Sequence, residues 1–187
     1  MSLSKPQSRK LIHQRRIRPN AYLREDGLWD IEANLTDDKA YPFPTLQRGI
    51  LPVGELVHDI WLRLTLNNEL VIQAAEASLI TTPFKRCPTI EENVERLVGL
   101  KIKSGWTQEA KARIGGAAGC SHIVELLRPM ATTAIQAIYP YLTFGQDGKF
   151  PVNDSLVDSC YGFAADGDVI QVLAPDKYKS NNETEKD

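Results

Sequence analysis

The stretch that decides the fold is His58-Asp-Ile-Trp-Leu-Arg-Leu-Thr-Leu66, followed by Asn67-Asn68 and the apolar run from Leu70 to Ile80. Ile60, Leu62, Leu64 and Leu66 recur at every second position with Asp59, Trp61, Arg63 and Thr65 between them, which is the period of a strand with one buried face. The two asparagines suit a tight turn, so the Val-, Ile- and Ala-rich run is predicted to return antiparallel. Upstream, Leu28 to Thr36 alternates in the same way, with Trp29, Ile31, Ala33 and Leu35 on one face and Asp30, Glu32 and Asn34 on the other. Leu28 to Ile80 therefore reads as a three-stranded antiparallel sheet, in a fold of three to four strands, with Arg63 placed to pair with Asp30 or Glu32 on its polar face. Pro42, Pro44, Gly49, Pro52 and Gly54 mark the connection within it as a loop.

Beyond the sheet the period changes. Thr89-Ile-Glu-Glu92 is a capping-box pattern that predicts a helix closed by Gly99, and a shorter helix is expected from Thr107 to the Gly115-Gly116 pair. Ile123, Leu126, Leu127, Met130, Ala131, Ala134, Ile135 and Ile138 then fall at helical spacing, predicting a long helix kinked at Pro129 and ended by Pro140. Gly145-Gln-Asp-Gly148 reads as a turn, and Val169 to Leu173 as a short added strand. The class is α+β, with residues 11–175 as one domain and residues 1–10 and 176–187 as polar tails that cannot offset the entropy of ordering.

The 187 residues carry 22 basic and 24 acidic side chains, a formal net charge of −2, so the totals give no nucleic-acid-binding character. The basic run Arg9, Lys10, Arg15, Arg16, Arg18 reads as a solvated arm, with His13 within it and outside any site. No stretch approaches the roughly 20 apolar residues of a spanning helix, and Met1 to Arg18 lacks an apolar signal core, so a cytoplasmic protein is expected. Three cysteines fit reduced thiols better than a disulfide framework.

Chemistry concentrates on a few side chains. Cys120 follows the glycine-rich Gly115-Gly-Ala-Ala-Gly119 at a helix start, where unpaired amides and the helix dipole favour a thiolate, and His122 lies two residues on. Cys87 occupies a second strand-to-helix junction. With His58 at a strand start, these residues could gather soft sulfur and imidazole nitrogen for zinc or iron at one end of the sheet. Asp59 and Glu32 are the candidate proton carriers beside it, Asp59 also as a group orienting His58. Cys160 could add a third sulfur, though packing explains it as well. Neither Cys-x-x-Cys nor His-Glu-x-x-His occurs, and no phosphate loop is present.

Two resemblances follow from these residues. Arg24-Glu-Asp-Gly-Leu-Trp-Asp-Ile-Glu32, His58-Asp59, Cys87-Pro88 and Gly119-Cys-Ser-His122 together resemble an uncharacterised bacterial family, domain of unknown function 2889, over roughly residues 15–173; that likeness implies no reaction. Over about residues 56–141 the chain is similar to iron-sulfur cluster scaffold and sulfur-acceptor proteins. Asp59-Ile-Trp-Leu-Arg-Leu64 resembles their first core strand, Cys87 falls where the cysteine after the sheet would lie, and Cys120 where the cysteine opening the last long helix would lie. The resemblance implies helices packed on one face of the sheet. It departs where Val57 and His58 replace the first cysteine and Arg113 to Gly119 replaces the proline-rich docking segment, which favours a single ion over a cluster.

The sequence thus predicts a metal-dependent enzyme for a small-molecule substrate, lyase-like or hydrolytic, with His58, Cys87, Cys120 and His122 as ligands and Asp59, His122 or Glu32 moving the proton. An iron-sulfur or sulfur-transfer accessory protein, and a thiol enzyme in which Cys120 acts beside His122 without metal, are the alternatives. Neither a membrane nor a nucleic acid is expected as a partner, and a homo-oligomer is left open.

Overall fold

The structure, a computed structural model, describes residues 3–147, 152, 154 and 156–180. Six strands and three α-helices appear in it: β1 (His13–Leu23), β2 (Trp29–Lys39), β3 (Phe43–Thr45), β4 (Gly49–Leu51), β5 (Leu56–Leu66), β6 (Ile72–Thr81), α1 (Trp106–Ile114), α2 (Ser121–Asp147) and α3 (Asp168–Leu173). The chain divides into two compact units, Met1–Ile138 and Tyr139–Asp187. Among the described residues no helix is long and apolar enough to cross a membrane.

The first unit is built on a four-stranded antiparallel sheet in the order β1-β2-β5-β6. Its register follows from the period-2 pattern, because a slip of one residue would turn every apolar side chain to water. Ile17, Leu35, Ile60 and Leu79 form one cross-strand row, and Pro19, Ala33, Leu62 and Ala77 the next. The inward residues of β2 and β5 are fully buried against Val94, Leu97, Trp106, Ile114, Ile123, Leu126, Met130 and Ala134, so the helices cover one face only. At about 1.5–3 kcal/mol for each large side chain buried, this contact is what holds the layers together.

Several elements differ from the sequence reading. The basic segment taken for an arm is the edge strand β1: Ile17 and Ala21 pack on the core while Arg16 and Arg18 point away from it, and Pro19 is tolerated because an edge strand can forgo a ladder donor. The loop after β2 contains the hairpin of β3 and β4. The segment Cys87–Leu97 is a 3-10 helix without a capping box; the Thr89 hydroxyl donates to the Arg86 carbonyl, and Glu91 instead accepts the Leu79 amide, tying the segment to β6. Gly99 does close it, at φ +83. α2 passes through both Pro129 and Pro140, since each proline removes a single helix donor and burial of the helix's apolar stripe outweighs that loss. The turn expected at Gly145 is therefore helix up to Asp147, and Gly148 lies outside the described residues.

In the second unit, Val152, Ile170 and Ala174 form a small core with Leu156, Val157, Phe163 and Tyr178 around it. The run expected to be a strand is the helix α3, with Ile170 as its buried residue; a short apolar run does not declare its own period. Of the predicted tails, residues 3–10 form no strand or helix, Pro175–Lys177 makes a 3-10 turn, and residues 1, 2 and 181–187 lie outside the described ones.

Candidate metal centre

The inward face of β2 reads Trp29, Ile31, Ala33, Leu35 and then Asp37, which is 1% exposed. In register with it stand Arg15 on β1 and His58 on β5, so that the row after Ile17-Leu35-Ile60 is Arg15-Asp37-His58. The sheet's apolar face thus ends in one polar row, and the start of α2 lays His122 over it: the His58 and His122 rings are 3.9 Å apart between centroids and inclined by 37°.

Asp37 is the hub. Arg15 donates to it twice, Nε to Oδ1 at 2.8 Å and Nη2 to Oδ2 at 2.7 Å, and its remaining nitrogen reaches Glu125 of α2. His58 Nδ1 is 3.0 Å and His122 Nε2 3.8 Å from Oδ2, while His13 Nε2 is 3.2 Å from Oδ1. All three histidines of the chain therefore surround one carboxylate. Burial alone would raise the Asp37 carboxyl, but the hydrogen bonds and charge of Arg15 outweigh it and hold it below the ordinary carboxylate range. Burial pushes His58 down to about 4, helped by the neighbouring His122, and burial and Arg15 also push His122 down. Both imidazoles are neutral at pH 7.

The donor set fits a cation. Asp37, His58 and His122 each offer one ligand atom, all within 4.8 Å of one another. Two atoms on one zinc at about 2.1 Å stand roughly 3.4 Å apart in a tetrahedron, between the two distances measured to Oδ2. His58 Nδ1 is buried without a well-aligned hydrogen bond, although a carboxylate oxygen is 3.0 Å away; a donor placed so gains little from its N–H, and a lone pair facing an anion is costly unless something positive lies between them. Two imidazoles and a carboxylate suit zinc or iron(II), and the hydrogen bonds from Arg15 to Asp37 are of the kind that orient a ligating carboxylate.

Of the predicted ligands, the fold brings His58 and His122 together. Cys87 and Cys120 line the same cavity of about 560 Å³ as the two histidines, but among the described residues no group of three ligand-bearing residues includes a cysteine. Cys120 Sγ lies 3.6 Å from His122 Nδ1, beside the ring rather than facing the carboxylate. Asp59 and Glu32 are on the opposite face of the sheet, where Asp59 accepts from the Asn34 amide and Glu32 from Arg63, the pairing expected for that arginine. Cys160 belongs to the second unit, where it is exposed. The residues missed were Asp37, Arg15 and His13. The signal for Asp37 was present, because the alternation from Trp29 continues to it without a break.

A second cavity, of about 400 Å³, meets the centre from the side of Asp37 and His13; His58, Pro83 and Phe84 border both. The glycines ahead of α2 fix its approach. A Cβ on Gly119 would stand 1.7 Å from the Ile114 carbonyl oxygen, which is backbone and cannot move alone. Gly119→Ala is expected to cost about 2–3 kcal/mol in urea denaturation and, by displacing His122, to lower bound metal; unchanged stability would show that the turn has another way to close.

The chain belongs to the family described as a protein of unknown function (DUF2889), which it matches over residues 13–136, more than half its length. No curated protein and no solved structure matches it.

Proposed function

We propose that this DUF2889 protein is a metal-dependent enzyme acting on a small molecule, by hydrolysis or a lyase-type elimination, with one zinc or iron ion held by Asp37, His58 and His122. The observation that carries the reading is the buried Nδ1 of His58, 3.0 Å from Asp37 Oδ2 without a well-aligned hydrogen bond to it, and with His122 Nε2 3.8 Å from the same oxygen. Such an ion supplies a Lewis acid that polarises a substrate oxygen or activates water. The protein's own contribution is fixed geometry: Arg15 holds the carboxylate, the β2–β5 register holds His58, and Cys120 lies against the far nitrogen of His122. The 560 Å³ cavity beside the histidines is of the size that takes small-molecule ligands.

Metal analysis of the protein purified without a tag tests this. About one zinc or iron per chain is expected, falling below roughly a tenth of that in His58→Ala and His122→Ala variants that keep the wild-type circular dichroism. Undiminished metal in the double variant would end the proposal.

One observation favours a second reading. Asp37, His122 and Cys120 are ordered as acid, imidazole and thiol, with contacts of 3.8 Å and 3.6 Å. In that reading His122 Nδ1 takes the thiol proton, the sulfur bonds to a substrate carbonyl carbon, and the leaving group departs with the proton returned from His122. Mass spectrometry after incubation with p-nitrophenyl acetate separates the two: an acyl adduct on Cys120, formed in the presence of a chelator and lost in His122→Ala, supports the thiol enzyme.

A further inference from the structure

The cavity that holds His58 and His122 has a one-sided charge. Although the chain has more acidic than basic residues, none of the residues lining this cavity is an aspartate or a glutamate, and one is an arginine, Arg86. Most of the polar side chains on the wall are already engaged: Thr82 donates to the Phe84 carbonyl, Thr89 to that of Arg86, and Asn93 to that of Ala118. Arg86 and Ser121, both exposed, have no side-chain hydrogen bond or ion pair among the described residues. Arg15, Arg16, Arg24, Arg48 and Arg63 of the same unit each hold a carboxylate, whereas Arg86 holds none. Ser121 opens α2, whose first-turn amides have no acceptor within the helix and add positive potential at the same wall. Ile60, Pro83, Phe84 and Ile90 supply an apolar remainder.

We infer that the substrate of this cavity is a small organic anion, whose carboxylate or phosphoryl oxygens lie on Arg86 and Ser121 and whose apolar body lies against Phe84 and Ile90. An unpaired guanidinium in a cavity free of acidic groups is a forked donor matched to such an oxyanion. Calling the anion a substrate rests on the metal-centre reading; its binding does not.

The test is a titration of the ¹⁵N-labelled chain with inorganic phosphate, with succinate and with uncharged 1,4-butanediol, following backbone amide shifts. At least one of the two anions is expected to bind saturably, moving the Ser121 amide, and to bind at least about tenfold more weakly in Arg86→Gln, with partial recovery in Arg86→Lys. Phosphate alone would assign a phosphoryl substrate and succinate alone a carboxylate. No saturable shift with either anion, equal binding of butanediol, or an affinity unchanged in Arg86→Gln overturns the inference. Repeating the titration on chelator-treated protein keeps the two proposals apart, since that treatment removes a metal and leaves every residue of the cavity in place: saturable binding that persists upholds the anion site, and its loss overturns it.

Discussion

Asp37→Asn is expected both to empty the centre and to destabilise the protein by about 3 kcal/mol. The carboxylate is almost wholly buried and answers Arg15 through two hydrogen bonds while facing three imidazoles. Breaking a buried pair by removing one charge costs about 3–5 kcal/mol, because the partner is left without compensation. The lower end applies here, as Arg15 keeps Glu125 and is one-third exposed. Urea denaturation reads the stability and elemental analysis the metal. The paired variant Arg15→Met with Asp37→Leu separates the two effects: packing can replace the ion pair, so stability should recover substantially, whereas the metal should not return. Full metal content in Asp37→Asn would remove the carboxylate from the ligand set.

The second large effect is loss of stability in acid. His58 in the folded protein titrates at about 4, against 6.5 for an ordinary histidine. Between those values the unfolded chain takes up a proton that the native state refuses, so stability rises with pH across this window and is lost as pH falls from 6.5 towards 4. The difference corresponds to at most about 3 kcal/mol, and the downward shift of His122 acts in the same direction. Asp37, held below its ordinary range, adds a further loss only at lower pH, as its carboxylate is protonated. Thermal melts in the presence of a chelator, taken between pH 7 and pH 4, isolate the protein's own contribution. His58→Gln should flatten most of the slope; a slope equal to that of the wild type would mean that acid acts elsewhere.

The sheet was legible in the sequence because its signal is local: alternation over β2 and β5 fixes both their faces and their pairing. His58 and His122 were legible as chemistry for the same reason, each standing at the start of an element. What escaped notice was of a different kind. Arg15 and His13 sit in a segment whose basic residues mask its period, and only pairing with β2 shows that Arg15 faces inward. Asp37 was within reach, but ending the strand at Thr36 left it out. Cys87 and Cys120 line the same cavity as the histidines, yet an approach to the same cavity does not set the direction of a sulfur, and the Cys120 sulfur meets Nδ1 of His122. Glu32 and Asp59 follow from parity alone: on strands whose even or odd members are core, they have to face outward.

The polar row at the end of the sheet also constrains how the strands find one another. Sliding β1 along β2 by two residues would preserve the inward and outward sets, so alternation gives no protection against that error. It would, however, set the Arg15 guanidinium opposite Leu35 and His13 opposite Asp37, so that a nearly buried carboxylate loses its two hydrogen bonds from Arg15. The ionic rung therefore acts as a registration peg, and a chain lacking it should sample misaligned edge pairings that the native sequence rejects.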